Sequence, residues 1–124
     1  MTVKRSEKIA EAIHEIVSAL LLKGVKDPRI GFTTITGVKV SDDLHFATIY
    51  FSVIGNDAEK KSTGSGLNSA KGFIRRELGK SLRMRYVPEI FFRYDESVEY
   101  GQRIDSLIDE IHTTENDNDT EHSQ

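Results

Sequence analysis

The sequence predicts a small α+β domain. Three observations carry that reading. Apolar residues repeat with a helical period over residues 6–23, two β-branched segments flank a turn within residues 33–53, and a second helical stretch at 67–85 runs into a third strand. In the first helix the repeat is Ile9, Ala12, Ile13, Ile16, Val17, Leu20 and Leu21. This is the i, i+3, i+4, i+7 spacing that puts one apolar stripe on a helix. Ser6 is the expected N-cap and Gly24 the expected C′ stop. Asp27-Pro28 then forbids continuation, because a residue before proline is pushed out of the α region.

The two strands are expected at 33–40 and 46–53. The first is rich in β-branched residues, and the second alternates, with Ala47, Ile49, Phe51 and Val53 on one face. Ser41-Asp42-Asp43 between them is turn chemistry, with left-handed backbone expected at Asp42 or Asp43. Residues 55–66 read as a polar connector. The helical pattern resumes near Leu67, interrupted at Ser69-Ala70-Lys71-Gly72, where a break between two helices is expected. Residues 87–94 form the third strand, with Pro88 tolerated near its start. Ser97 is the expected cap of a C-terminal helix striped by Tyr100, Ile104, Leu107, Ile108 and Ile111.

At 124 residues the chain is expected to hold one domain, residues 1–111, followed by a tail at 112–124. The tail carries Glu115, Asp117, Asp119 and Glu121, no Lys or Arg and no large apolar residue. Such a segment cannot offset its ordering entropy, so disorder is expected. The net charge of −3 is therefore misleading: without those four acids the remainder is +1. There is no cysteine, which excludes disulfides, thiolate metal sites and a thiol nucleophile. Residues 9–22 are interrupted by Glu11, His14 and Glu15, so no signal peptide is read there. No apolar run approaches the roughly 18 residues of a membrane span. The expected location is cytoplasmic.

The sequence offers no catalytic or metal-binding constellation. His14-Glu15 begins like a zinc-protease helix, but Ser18 stands where the second ligand belongs. Gly64-Ser65-Gly66 lacks the third glycine of a dinucleotide fingerprint, since Ser69 occupies that place. Gly79-Lys80-Ser81 spells the end of a phosphate loop inside a helical pattern, with Ile74 in place of its first glycine. No cofactor is implied.

What the chain does offer is positive charge. Residues 67–85 hold Lys71, Arg75, Arg76, Lys80, Arg83 and Arg85 against one acid, Glu77. Wound as a helix at about 100° per residue, the segment gathers Ala70, Phe73, Ile74, Leu78, Leu82 and Met84 on one side. Arg75, Arg76, Lys80 and Arg83 fall on the opposite arc. Cations fanned over an exposed face suit a phosphate backbone, because each neutralised phosphate releases a counterion. Lys71 joins them at the break; Arg29, Lys4, Arg5 and Lys8 are weaker additions. Phe32, Phe46 and Tyr50 could stack on bases or simply pack, since they alternate with core positions.

The order helix, strand, strand, helix, helix, strand is that of a type II KH domain. An RNA-binding KH domain clamps backbone nucleotides with a GxxG loop between paired helices, and this chain has no GxxG. Five segments make a more specific match. Lys26-Asp27-Pro28-Arg29-Ile30-Gly31, Val40-Ser41-Asp42-Asp43-Leu44, Ala70-Lys71-Gly72-Phe73-Ile74-Arg75, Arg85-Tyr86-Val87-Pro88-Glu89-Ile90 and Gly101-Gln102-Arg103-Ile104-Asp105 resemble, in order, the ribosome-binding factor A family. The resemblance covers roughly residues 4–111. It implies a KH-like fold with a mixed three-stranded sheet, helices on one face, and a kink at Ala70 and Gly72 in place of GxxG. It also implies a non-catalytic, monomeric protein that binds the immature 30S subunit and its 16S rRNA near the junction of head and body. Such a factor assists late maturation and 5′-end processing of 16S rRNA, notably in the cold, and leaves with the help of an assembly GTPase.

Other functions make different demands. A free single-stranded RNA-binding module with sequence preference would need a substitute for GxxG. A hydrolase or transferase would need a nucleophile or metal group. A protein adaptor using the charged helix would be insensitive to ribonuclease.

Overall fold

A computed structural model describes residues 4–23, 25, 27–30 and 32–97. The chain runs α1 (Arg5–Leu22), β1 (Thr33–Val40), β2 (Phe46–Val53), α2 (Asp57–Ser69), α3 (Lys71–Leu82) and β3 (Glu89–Tyr94). The strand order is β1-β2-β3. β1 and β2 form an antiparallel hairpin, from Thr33 opposite Val53 to Val40 opposite Ala47. β3 lies parallel to β2, from Phe46 beside Glu89 to Phe51 beside Tyr94. A parallel neighbour requires a crossover, and the α2–α3 pair supplies it. The sheet is therefore mixed, as the resemblance implies.

The alternation of β2 decides where the core sits. Ala47, Ile49, Phe51 and Val53 are all buried, with Ile35 and Ile90 from the flanking strands. Ile13 and Val17 of α1, Leu67 of α2, and Ile74 and Leu78 of α3 close over them, with Ala70 between the last two helices. Full burial of a side chain such as Leu78 stabilises by about 1.5–3 kcal/mol. A β-bulge between Ile35 and Gly37 resets the phase of β1. The ring of His14 meets the Ile35 carbonyl there, Nε2 to O 3.0 Å, which gives the residue of the incomplete zinc motif a structural role.

Several expectations are corrected. Ser6 does not cap α1: it is buried, and the N-cap position is Lys4, which makes no side-chain capping bond. In the hairpin turn the left-handed residue is Leu44, with φ 65°, not either aspartate. Asp43 is held in place because its Oδ1 accepts from the Ser41 hydroxyl at 2.6 Å and the His45 N–H at 3.1 Å. Those bonds, the hydroxyl first, lower its pKa.

The largest correction is α2. Residues read as connector are helical from Asp57, because Asn56 and Glu59 form a reciprocal capping box. Thr63, Gly66 and Leu67 then turn inward at i, i+3 and i+4. Gly66 is needed there. A Cβ would stand 2.8 Å from Ile30 Cγ1 and 3.1 Å from Arg29 Cβ, where the 27–30 loop lies on the helix. The Thr63 hydroxyl donates to the Arg29 carbonyl at 3.2 Å across the same contact.

β3 begins at Glu89 rather than Val87: Pro88 has no N–H, and pairing starts with Glu89 N–H to the His45 carbonyl at 2.8 Å. Near the end of the described chain the Asp95 Oδ1 accepts the Ser97 N–H at 3.0 Å. One compact unit ends at Tyr94 and another begins at Asp95. The expected stop at Gly24, the C-terminal helix stripe, the boundary at residue 111 and the acidic tail lie outside the described residues.

Candidate nucleic-acid interface

The break between α2 and α3 falls on Ala70, which serves as cap to both helices with φ −83° and ψ 0°. Its N–H reaches the carbonyls of Gly66 and Leu67, and its own carbonyl accepts from Ile74 N at 3.0 Å. Gly72 lies inside α3, and a Cβ there would meet nothing within 4 Å. Ala70 is buried against the core while Lys71 and Gly72 follow at the surface, so the break turns the start of α3 outward.

From that start the cations divide. Lys71 and Arg75, one turn apart, reach toward β3. Lys71 Nζ sits 5.1 Å from the centre of the Phe91 ring. Arg75 donates from Nη2 to the Val87 carbonyl at 2.9 Å and from Nε to the Pro88 carbonyl at 3.2 Å. Arg76 and Lys80 point away from the core. Lys80 is paired with Glu77, one turn earlier, at 2.8 Å. Arg83 is not part of the helical arc: it is the C-cap of α3, in left-handed backbone with φ 52°. Arg76, Arg83 and Arg85 are exposed and make no ion pair among the described residues. Arg85 lies 5.5 Å from the ring centre of Tyr86, itself 71% exposed.

The single arc of four water-facing cations is thus revised. Arg75 faces backbone carbonyls, Lys80 shares its charge with Glu77, and Phe73, expected on the apolar side, is 42% exposed. Phe73 moves outward because the buried face of α3 is narrow, defined by Ile74 and Leu78.

The weaker candidates stand elsewhere. Arg29 is clamped by Asp27, with Nη2 to Oδ2 at 2.6 Å and Nε to Oδ1 at 3.0 Å. The bidentate bond from Arg29 lowers the Asp27 pKa to about 2 and raises that of Arg29. Lys4 approaches Asp42 at 4.0 Å across exposed surface, and Arg5 has no ion pair among the described residues. Lys4 and Arg5 begin a helix about 27 Å long, whereas Lys80 borders its far end, near Lys23. The fold does not gather all eight positions.

Among the described residues no group of three His, Asp or Glu side chains is placed to hold a metal, and no helix is long and apolar enough to cross a membrane. The family model described as ribosome-binding factor A matches residues 5–108. This chain belongs to the ribosome-binding factor A family. A relative of that name from Geotalea daltonii is 70% identical over 121 residues, covering 97% of this chain and 98% of the relative. The solution structure of a Thermotoga maritima protein described under the same family name is 34% identical, with a TM-score of 0.67, over 75% of this chain and 89% of that one. The fold is also similar to a Thermus thermophilus ribosome binding factor A homology model fitted into a cryo-EM map of a 30S complex. That match is 21% identical, with a TM-score of 0.55, over 74% and 92% of the two chains.

In this chain Ser69-Ala70-Lys71-Gly72 occupies the place where an RNA-binding KH domain carries GxxG. The charge it presents comes from Lys71 and the exposed arginines that follow. Two aromatics are exposed that the sequence reading does not offer as contacts: Phe73, which it assigns to the apolar side, and Phe91. For Phe91 the signal was present: in β3, Ile90, Phe92 and Tyr94 alternate with it, so it belongs to the other face.

Proposed function

We propose that this chain binds the immature 30S subunit and its 16S rRNA as a non-catalytic assembly factor. It assists late maturation and 5′-end processing of that rRNA, works as a monomer in the cytoplasm, and is released through an assembly GTPase. Family membership supports the ribosomal target, as does the Thermus thermophilus factor described in a 30S complex. The observation that carries the interface is the exposure of Arg76 and Arg83 without any ion pair among the described residues, on the helix that Lys71 begins and Arg83 caps. A carboxylate-free cation keeps its full charge for a phosphate. Lys71, Arg76 and Arg83 position the protein on the backbone, Arg75 and Lys80 contribute from their tethered places, and Arg29, Lys4 and Arg5 lie at the margins.

The mechanism needs no bond made or broken. A factor that binds one rRNA conformation more tightly than its alternatives raises the population of that conformation by its differential affinity. Selectivity comes from the three-dimensional surface of the folded rRNA rather than from base pairing or a catalytic group.

Co-sedimentation with immature and mature small subunits across a salt series tests this. Wild-type protein sediments with immature subunits, and with about four phosphates engaged log affinity falls against log salt with a slope of about −3. The Arg76→Glu, Arg83→Glu double variant loses binding and keeps its fold, since neither side chain supports another element. Unchanged affinity in that variant would overturn the assignment.

A further inference from the structure

The sheet face turned away from the core carries a second cluster. Phe46, Thr48 and Tyr50 of β2 alternate onto it, beside Glu89, Phe91 and Arg93 of β3 in that pairing order. Lys39 of β1 lies opposite Thr48. Phe46 and Phe91 are 47% and 37% exposed, and their ring centres are 6.1 Å apart with planes at 37°. A solvated antiparallel face ordinarily carries polar side chains, so two neighbouring phenyl rings in water call for a reason. Gly37, opposite Tyr50, adds no side chain to the face, and a Cβ there would meet nothing within 4 Å. The surface beside Tyr50 is therefore open.

Charge decides what such a surface fits. Lys71 Nζ stands over the Phe91 ring at 5.1 Å. Lys39 and Arg93 are exposed, and none of these three cations makes an ion pair among the described residues. Glu89 is the acid facing them on this pair of strands. Exposed aromatic rings rimmed by unpaired cations are what single-stranded RNA requires: a π face for each base and positive charge for the backbone. A sheet that stacks two or three bases on strand aromatics is an established way to hold RNA.

We infer that this face is a stacking platform for an unpaired RNA segment. Two bases lie on Phe46 and Phe91, and Lys39, Lys71 and Arg93 meet the adjoining phosphates. Lys71 joins this platform to the α3 cations, so the inference deepens the proposed RNA-binding reading and rests on it for the identity of the ligand. The α3 surface positions the protein on folded rRNA, and the open sheet face takes an adjacent strand that is not base-paired.

The chain has no tryptophan, so Phe91→Trp installs one fluorophore on the platform. Full-length protein carrying it is titrated with unstructured oligouridylate and oligoadenylate octamers, with inorganic polyphosphate as the charge-only control. Emission is quenched by both oligonucleotides and not by polyphosphate, and adding Phe46→Ala weakens oligonucleotide affinity at least about fivefold. The reverse arrangement, Phe46→Trp with Phe91→Ala, gives the same pattern, and circular dichroism melts keep the folded state in view. Binding without quenching, equal quenching by polyphosphate, or full affinity after Phe46→Ala overturns the platform. So does a Phe46→Ala, Phe91→Ala protein that fails to bind subunits while the parent binds no oligonucleotide, since the face then docks protein. Loss of subunit binding in the Arg76→Glu, Arg83→Glu variant alongside absent quenching would sink this inference alone. Retained subunit binding alongside quenching would sink the α3 assignment alone.

Discussion

Arg75 holds the carbonyl oxygen of Val87 at 2.9 Å, and the same guanidinium reaches Pro88 at 3.2 Å. A cation in the middle of the basic helix therefore also fastens the connector that delivers β3. The two carbonyls lie just before the first paired residue of the strand, Glu89, so the contact fixes where the strand begins.

Arg75→Ala is expected to destabilise the protein by about 1 kcal/mol, because it removes two charge-assisted hydrogen bonds, one part-buried and one exposed. Arg75→Lys restores only part of the loss, since an ammonium does not present the planar fork that spans both oxygens. Urea denaturation of the three proteins measures this. Equal stability of Arg75→Ala and wild type would remove the clamp from the account.

Arg83 occupies left-handed backbone at the end of α3. A side chain costs about 1 kcal/mol there, and glycine adopts the same φ freely. Arg83→Gly is expected to raise stability by about that amount. It is also expected to weaken RNA binding and make the salt slope shallower by about one unit. Paired measurements of the denaturation midpoint and the salt series check both halves.

The two glycines around the break behave oppositely. Gly66→Ala places a methyl against Ile30 and Arg29. Overpacking of that kind costs about 1–3 kcal/mol, which exceeds or cancels the helix-propensity gain of about 1 kcal/mol. Gly72→Ala fills open space inside α3 and is expected to stabilise by about 0.5–1 kcal/mol. Thermal melts of both variants would show it. A loss at Gly72 would mean that its backbone freedom is used after all.

β2 was legible because its side chains alternate without ambiguity, and β1 because it is rich in β-branched residues, although a bulge between Ile35 and Gly37 breaks its phase. Ala47, Ile49, Phe51 and Val53 leave one register for β2, and the order of elements followed from the turns between them. α2 was obscured by its composition: Ser62, Thr63, Gly64, Ser65 and Gly66 are residues of loops, and their helix is stabilised by packing of Thr63 and Gly66 on the 27–30 loop. Its start was written in Asn56 and Glu59, a capping pair that outweighs the weak propensity behind it. At the basic surface the sequence supplied the charges but not their partners. That Arg75 turns to carbonyls, Lys80 to Glu77 and Arg29 to Asp27 depends on rotamers and on segments brought together by the fold.

The Asp27–Arg29 pair gives a pH signature. The folded Asp27 pKa of about 2 lies below its ordinary value of 3.8, so its stabilising effect is complete above the higher value and is lost as pH falls through the lower one. The stability difference between wild type and Asp27→Asn is expected to shrink as pH falls from about 4 to about 2. The same substitution frees the Arg29 guanidinium, so RNA binding at low salt strengthens. Acid titration of the unfolding free energy and a binding isotherm at neutral pH check the two effects.

The central strand acquires its two neighbours at different moments. β1 pairs with β2 across a tight turn, whereas β3 must wait for the whole α2–α3 crossover, and distant pairings of this kind form late. While the polypeptide is being synthesised, the β2 edge that will receive β3 is open. The Arg75 anchor, the ring beneath Lys71 and the far side of the platform do not yet exist. Until Glu89–Tyr94 pairs with β2, Phe46 lacks the Phe91 ring that stands 6.1 Å from it in the finished sheet.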